Sequence, residues 1–348
     1  MVIWWLIKRF RRWREQRRAA QAPEPAKPAR RPRAPRRTSS GTPIDPDAAI
    51  SVRGLRKSYG EYEAVRSIDF DVQRGEIVAF LGPNGAGKTT TVEMLEGYRA
   101  RSAGEVQVLG VDPEVGGRGW RDSIGVVLQE SEPEPYLTAR QCLELYGGYY
   151  SRPRSVDETL ALVGLEGKAG ALARTLSGGQ RRRLDVALAL IGDPELVFLD
   201  EPTTGFDPSA RRTAWHVVAG LRELGKTIFL TTHYMDEAEF LADRIIVLAD
   251  GEIVAEGTPS TLGGRDRAGA RITFTLPGGV ATERLPEPFA AAARANGALV
   301  AVTSTTPLDD LRALTLWAAE ARVDLPDLEV RRQTLEDIYL ELTGATAE

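Results

Sequence analysis

Three short stretches carry residues of the right type and spacing for phosphate chemistry. The first is GPNGAGKT, Gly82 to Thr89, which fits the pattern G-x-x-x-x-G-K-[ST] at every fixed position. In such a loop the main-chain N–H groups turn inward around phosphate oxygens, and Gly82, Gly85 and Gly87 bring no Cβ into the way. Pro83, Asn84 and Ala86 complete the loop. Lys88 supplies a point charge for β and γ phosphates, Thr89 is a ligand for Mg2+, and Thr89 and Thr90 open a helix, TTTVEMLEG, whose positive end faces the anion. The second stretch is ELVFLDEP, an apolar strand from Leu196 to Leu199 that ends in two acids. A carboxylate at the C-terminal end of a parallel strand next to a phosphate loop suits Mg2+, which gives Asp200 that role. Glu201 then projects into the cleft to orient or deprotonate a water molecule. The third is SGGQ, Ser177 to Gln180, ahead of the helix RRRLDVALALIG. Ser177, Gly178 and Gly179 form another helix N-terminus, and so another anion site.

These residues need strands and helices to hold them. ISVRGLRKSYG and AVRSIDFDV read as strands, and RGEIVAFLG is a buried strand entering the glycine loop. From YLTARQ to LSGG the apolar residues recur at spacings of three and four, with breaks at glycines and at RPR, which predicts helices. IIVLADGEIVAEGTP reads as a hairpin whose Asp250-Gly251 turn suits type I′ geometry. Beyond Leu262, three strand candidates (ARITFTL, ALVAVTS, LEVRR) and two helices (LDDLRALTLWAAEARV, TLEDIYLELTG) describe an α+β appendage.

With 42% hydrophobic and 27% charged residues, most of the 348-residue chain can bury a core, in about two domains. One cysteine, Cys142, excludes an internal disulfide and reads as a small buried apolar residue. Two histidines exclude a Cys/His zinc cluster, and His216 reads as structural. The net charge of -4 hides an asymmetry, because residues 1–40 hold thirteen Lys and Arg against Glu15 and Glu24. The apolar run Val2 to Ile7 is far shorter than the roughly 20 residues of a membrane span. Its basic residues follow it, reversing the order of a secretory signal. Two readings stay open for residues 1–18: a Trp/Arg segment in weak contact with anionic lipid, or a solvated arm. The Pro- and Arg-rich stretch after it is expected to be disordered. Its polybasic character gives no specific nucleic-acid reading.

From Ile50 to Pro259 the chain resembles the ATP-binding cassette (ABC) family, with the motifs in order: SYG with Tyr59, GPNGAGKTT, VVLQE with Gln129, LSGGQ, LVFLDEP, TTGFD with Asp207, and TTH with His233. The resemblance implies an α/β fold, a P-loop NTPase of ABC type with a RecA-like core, antiparallel β and helical subdomains, and a small C-terminal α+β domain. The expected limits are a tail at 1–48, an ATPase domain at 49–261 with its helical part at about 130–190, and the appendage at 262–348. It implies ATP and Mg2+ as cofactors and hydrolysis of ATP. Tyr59 would stack on adenine, Gln129 would touch Mg2+ and the attacking water, and His233 would contact the γ-phosphate. Ser177, Gly178, Gly179, Gln180 and Asp207 would face ATP held by the P-loop of an opposite subunit, a second copy or a homologous ATPase. Arg181 to Arg183 are expected on the solvated or subunit-facing side of their helix. Phe206 stands where leucine is more usual. TLEDIYLELTG and DEPTTGFDP resemble ATPases related to the daunorubicin/doxorubicin-resistance exporters. That implies an export ATPase at the cytoplasmic face of the cell membrane, docked on a separately encoded permease. The alternative is a soluble ABC ATPase of the ribosome or nucleic acid, but those types carry two cassettes or a long coiled-coil insert, and this chain has one cassette without one.

Overall fold

A computed structural model describes residues 43–128, 133–265, 269–277, 280, 285–296, 299–332 and 334–343. They form two compact units that divide between Glu256 and Gly257. The expected limit lay at 261/262; the strand Glu252–Gly257 ends at the division. Residues 1–42 and Gln129 lie outside the described residues.

The first unit contains two sheets. Strands β1 (Ile50–Tyr59), β2 (Tyr62–Val72) and β4 (Ala103–Val108) make an antiparallel sheet in the order β2-β1-β4. The second sheet has the order β5-β6-β7-β3-β8-β9, from β3 (Ile77–Leu81), β5 (Ile124–Val127), β6 (Leu196–Asp200), β7 (Thr227–Thr231), β8 (Arg244–Ala249) and β9 (Glu252–Gly257). The ladders from β5 to β8 are parallel. Every residue of IVAFL and TIFLT is buried, as expected of strands covered on both faces. Phe70 of β2 packs with Phe80 of β3 and Phe229 of β7, and Phe198 of β6 meets Phe229 edge-on at 6.0 Å. These rings join the two sheets in one core. Asp250 and Gly251 have φ of 48° and 79°, the signs that the expected type I′ turn requires.

Arg53 is 6% exposed and donates to the Pro43, Val52 and Phe70 carbonyls and to Asp71, so residues from Pro43 onward are fastened to the sheet. A buried guanidinium needs those acceptors, and the pattern of an exposed tail could not reveal them.

Helix α1 (Lys88–Leu95) follows the glycine loop and α2 (Arg118–Asp122) precedes β5. The helical part holds α3 (Ala139–Gly147), α4 (Val156–Leu162) and α5 (Gly178–Leu190). Reciprocal capping boxes start α3, through Thr138 and Gln141, and α5, through Ser177 and Gln180. Cys142 faces inward from α3, and burial pushes its thiol up to about 11, so it is an inert packing residue. Helices α6 (Pro208–Glu223) and α7 (Met235–Leu241) flank β7 in sequence.

In the second unit β10 (Ala270–Thr275) lies between β11 (Leu299–Ser304) and β12 (Glu329–Arg332), both antiparallel to it. Ile272, Phe274, Val300 and Leu314 build its core, the last from α9 (Pro307–Ala321). The C-terminal helix α10 spans Leu335–Thr343. The sequence reading missed α8 (Phe289–Asn296), FAAAARAN. At about two turns it is too short for an apolar period to stand out, and its signal was helix propensity from five alanines. Phe289, Ala290 and Ala293 are its buried face, with Phe289 5.7 Å from Phe274.

Candidate active site

The C-terminal ends of β3, β6 and β7 converge, because all three run parallel, and each feeds one chemical loop. The sequence reading put the acidic strand end next to the P-loop and gave no strand order; the structure places β7 between β6 and β3. The intervening strand matters: Thr231, its last residue, donates to Asp200 Oδ1 at 2.5 Å, and the Glu201 N–H donates to the Thr231 carbonyl at 3.1 Å.

After β3 the chain turns through Gly82 to Gly87 into α1. The glycines serve different ends. Gly87 has φ 103°, and a Cβ there would meet the Ala64 carbonyl oxygen at 2.4 Å. A Cβ on Gly82 would meet the Leu248 carbonyl oxygen at 2.3 Å, so this glycine is needed for the fit against β8 rather than against an anion. Lys88 is 7% exposed and donates to the Gly82 and Pro83 carbonyls at 2.6 and 3.1 Å. Those bonds hold the loop and use two of the three ammonium donors. Burial lowers the Lys88 pKa, while the charges of Glu201 and Asp200 oppose that shift. Asn84, Gly85 and Thr89 are exposed, and Pro83 and Thr90 half-buried. Ala86 is buried beneath the loop.

Asp200 is half-buried at the end of β6. Burial raises its pKa, the Thr231 hydrogen bond opposes this, Glu201 adds to it, and Arg182 and Lys88 pull it back. Glu201 has φ 45°, a left-handed conformation that costs a non-glycine residue about 1 kcal/mol. Its surroundings over-determine it. Its N–H is held by Thr231, its carboxylate accepts from Thr204 Oγ1 at 3.1 Å, and its Oε1 lies 3.4 Å from His233 Nδ1. His233 leads out of β7, and its ring lies tilted against that of Tyr234 with centroids 4.1 Å apart. The loop after β3 is thus brought to the two acids and His233, which lie more than a hundred residues beyond it in the chain.

Arg182 departs from expectation. It is 8% exposed rather than solvated, and its guanidinium donates to the main-chain carbonyls of Leu128, Asp200, Glu201 and Pro202. Burial lowers its pKa, with Asp185, Asp200, Glu237 and Glu201 opposing. Arg183 donates to the Val163 and Gly164 carbonyls and Arg181 to the Leu176 carbonyl, and both are half-buried. Helical spacing puts three consecutive arginines on different faces, so a single solvated face could not hold them all.

Ser177 caps α5 and accepts from the Gln180 N–H at 3.3 Å, while Gln180 accepts from the Ser177 N–H at 3.0 Å. Asp207 caps α6 by accepting from the Ser209 and Ala210 N–H groups, both at 2.9 Å. Ser177 to Gln180, Glu201 and Asp207 line one open cavity of about 550 Å3, with half-buried Phe206 in its wall; no residue of Gly82 to Thr90 lines it.

Tyr59 ends β1 with its ring 42% exposed, the Lys57 ammonium 5.2 Å and the Arg99 guanidinium 5.4 Å from its centroid. Tyr62, which the sequence reading did not single out, faces it across the turn and places its hydroxyl 3.4 Å from the Gly85 carbonyl. Its signal was an exposed aromatic at a hairpin start, 59% exposed here. Among the described residues no cluster of three His, Cys, Asp or Glu side chains forms a metal cage. One carboxylate and one hydroxyl suit Mg2+, which takes few protein ligands and completes its shell with phosphate oxygens and water.

A family model described as ABC transporter matches residues 65–204, and one described as ABC transporter domain-containing protein-like, C-terminal domain, matches residues 270–334. The Nod factor export ATP-binding protein I of Ralstonia nicotianae is 38% identical over 311 residues, covering 87% of this chain and 96% of the relative. The daunorubicin resistance ATP-binding protein DrrA3 of Streptomyces coeruleorubidus is 38% identical over 308 residues, covering 86% and 96%. Among solved structures, the ATP-binding cassette MJ0796 in a dimeric post-hydrolysis state bound to ADP and Pi superposes with a TM-score of 0.54 at 29% identity, over 60% of this chain and 98% of that one.

Proposed function

The chain belongs to the ABC transporter family as an ATP-binding, ATP-hydrolysing subunit, and from that premise we propose that it powers an exporter of drug-like or lipophilic compounds by closing as a dimer on two ATP molecules and moving a separately encoded permease. The observation that carries the chemistry is the convergence of Lys88, Asp200, Glu201 and His233 at one edge of the parallel sheet. Relatives named for Nod factor export and daunorubicin resistance support export. The dimeric cassette among the structural neighbours supports pairing. Among the described residues no helix is long and apolar enough to cross a membrane. The subunit is assigned to the cytoplasmic face of the membrane through its permease.

In this reading the loop N–H groups of Gly82 to Thr90 and the Lys88 ammonium orient the triphosphate, and Tyr59 stacks on adenine. Thr89, Asp200 and Gln129 would hold Mg2+, which would supply positive charge to the phosphate oxygens. Glu201 takes a proton from the attacking water as the new P–O bond forms. The bond from the γ-phosphorus to its bridging oxygen breaks and ADP leaves with that oxygen. The His233 imidazole donates to the transferring phosphoryl oxygens and, at 3.4 Å, also restrains Glu201. Ser177, Gly178, Gly179, Gln180 and Asp207 contact the ATP of the opposite subunit. Their shared cavity, lined without any P-loop residue of the same chain, supports that assignment.

The test is Glu201→Gln. It keeps the shape and removes the base, so turnover should fall by about 100-fold or more with nucleotide affinity retained. A dimer closed on ATP should accumulate in size-exclusion chromatography. Steady-state hydrolysis at the wild-type rate would remove Glu201 from its role.

A further inference from the structure

Four residues beyond His233, the Glu237 carboxyl is fully buried, and no step of the proposed reaction uses it. Its Oε1 accepts from the Thr203 hydroxyl at 2.8 Å and from the Trp215 indole N–H at 3.0 Å. Thr203 is 1% exposed and sits two residues past Glu201, in the turn between the acidic strand and Asp207. Trp215 is on α6, the helix that Asp207 caps. Glu237 itself is on α7, the helix that His233 and Tyr234 lead into. One oxygen therefore joins the segment after the proposed base, the helix after Asp207, and the helix after the proposed phosphate donor. A second link runs parallel to it: the Arg211 guanidinium of α6 lies 4.0 Å from the centroid of Tyr234, whose ring packs at a tilt against His233. Burial raises the Glu237 pKa, and the Thr232, Thr203 and Trp215 hydrogen bonds and the Arg211 charge oppose this. A buried acid is costly, and an apolar residue of similar size would pack α7 without that cost. Its geometry gives what an apolar residue would not, a directional restraint on two loops at once.

We propose that Glu237 is a positioning residue for ATP hydrolysis, whose carboxyl ties the Thr203 turn and the Trp215 helix to the His233 loop and so sets the approach of Glu201 and His233. This rests on the assignment of Glu201 and His233 made above. Because Glu201 and His233 meet only at 3.4 Å, across a left-handed backbone turn, their separation depends on what holds the two loops.

The experiment measures steady-state ATP turnover, affinity for a fluorescent ATP analogue, and thermal midpoint on the full chain. Glu237→Ala should lower kcat by about 30-fold with nucleotide Kd within about twofold of wild type, and Glu237→Gln, which keeps an acceptor oxygen, should recover most of that loss. Thr203→Val and Trp215→Phe each delete one donor and should lower kcat by about three- to tenfold, and neither should lower it further in the Glu237→Ala background. Full turnover in Glu237→Ala, additive effects in the double variants, or a loss of nucleotide affinity equal to the loss of kcat would overturn the proposal. If Glu237→Ala fails to fold, the Thr203 and Trp215 variants decide, and wild-type kcat in both overturns it. Glu201→Gln, run alongside, separates the two ideas: an inactive Glu201→Gln beside a fully active Glu237→Ala removes only the positioning role, whereas an active Glu201→Gln removes the assignment beneath it.

Discussion

Arg182 is the residue whose chemistry differs most from its sequence appearance. In RRR it reads as one of a solvated trio, yet its guanidinium holds four carbonyls, those of Asp200, Glu201 and Pro202 and that of Leu128 just past β5. Charged hydrogen bonds to main chain contribute more than neutral ones, and removing the donor leaves buried carbonyls without it. Arg182→Ala should therefore destabilise the protein by about 3 kcal/mol and lower turnover, a combination measured by chemical denaturation and ATPase assay. Arg181→Ala should change stability by less than about 1 kcal/mol in the same assay, since its bond to the Leu176 carbonyl is a long 3.4 Å. The P-loop residues, by contrast, were legible from their types alone. Lys88 and the glycines follow a local pattern, and only the reason for Gly82, the Leu248 carbonyl beside it, was hidden.

At the level of elements, caps decide where the helices after Ser177 and Asp207 begin. Ser177 and Gln180 bind each other's backbone, which fixes the start of α5 and aims its N-terminus into the shared cavity. Asp207 does the same for α6, with Pro208 at the first helical position. Replacing Asp207 by Ala should cost about 1 kcal/mol of stability and Asp207→Asn much less, because Asn retains the capping oxygen. A thermal melt of both variants checks this. If Asp207→Asn, with its cap intact, nonetheless loses turnover, the carboxylate has a role beyond capping. The elements themselves were largely readable: the buried strands, the Asp250-Gly251 turn and the capped helices all carry local signals. Helix α8 was not, since eight residues give too little period to recognise.

For the molecule as a whole, the separation of the P-loop from the cavity of Ser177 and Asp207 is the feature with the largest consequence. If each catalytic site takes its P-loop from one chain and its Ser177 from another, two defective chains can complement. Lys88→Ala and Ser177→Arg proteins should each be inactive alone, and equal mixing should restore turnover, with about a quarter of all composite sites whole at random pairing. Absence of any recovered hydrolysis in mixtures that demonstrably form heterodimers would count against the paired arrangement.

By itself the sequence determined the parts: a phosphate loop, an acidic strand end, a second helix N-terminus and an α+β appendage. Each is encoded by neighbours within a few residues, through backbone conformation and periodic burial. Tertiary structure alone decided that β7 lies between the loop strand and the acidic strand, that Arg182 turns inward, and that Glu237 meets Thr203 and Trp215, partners 34 and 22 residues away in sequence. The physical reason is that a polar side chain's partner depends on which distant segments share its buried volume, and spacing along one chain does not encode that.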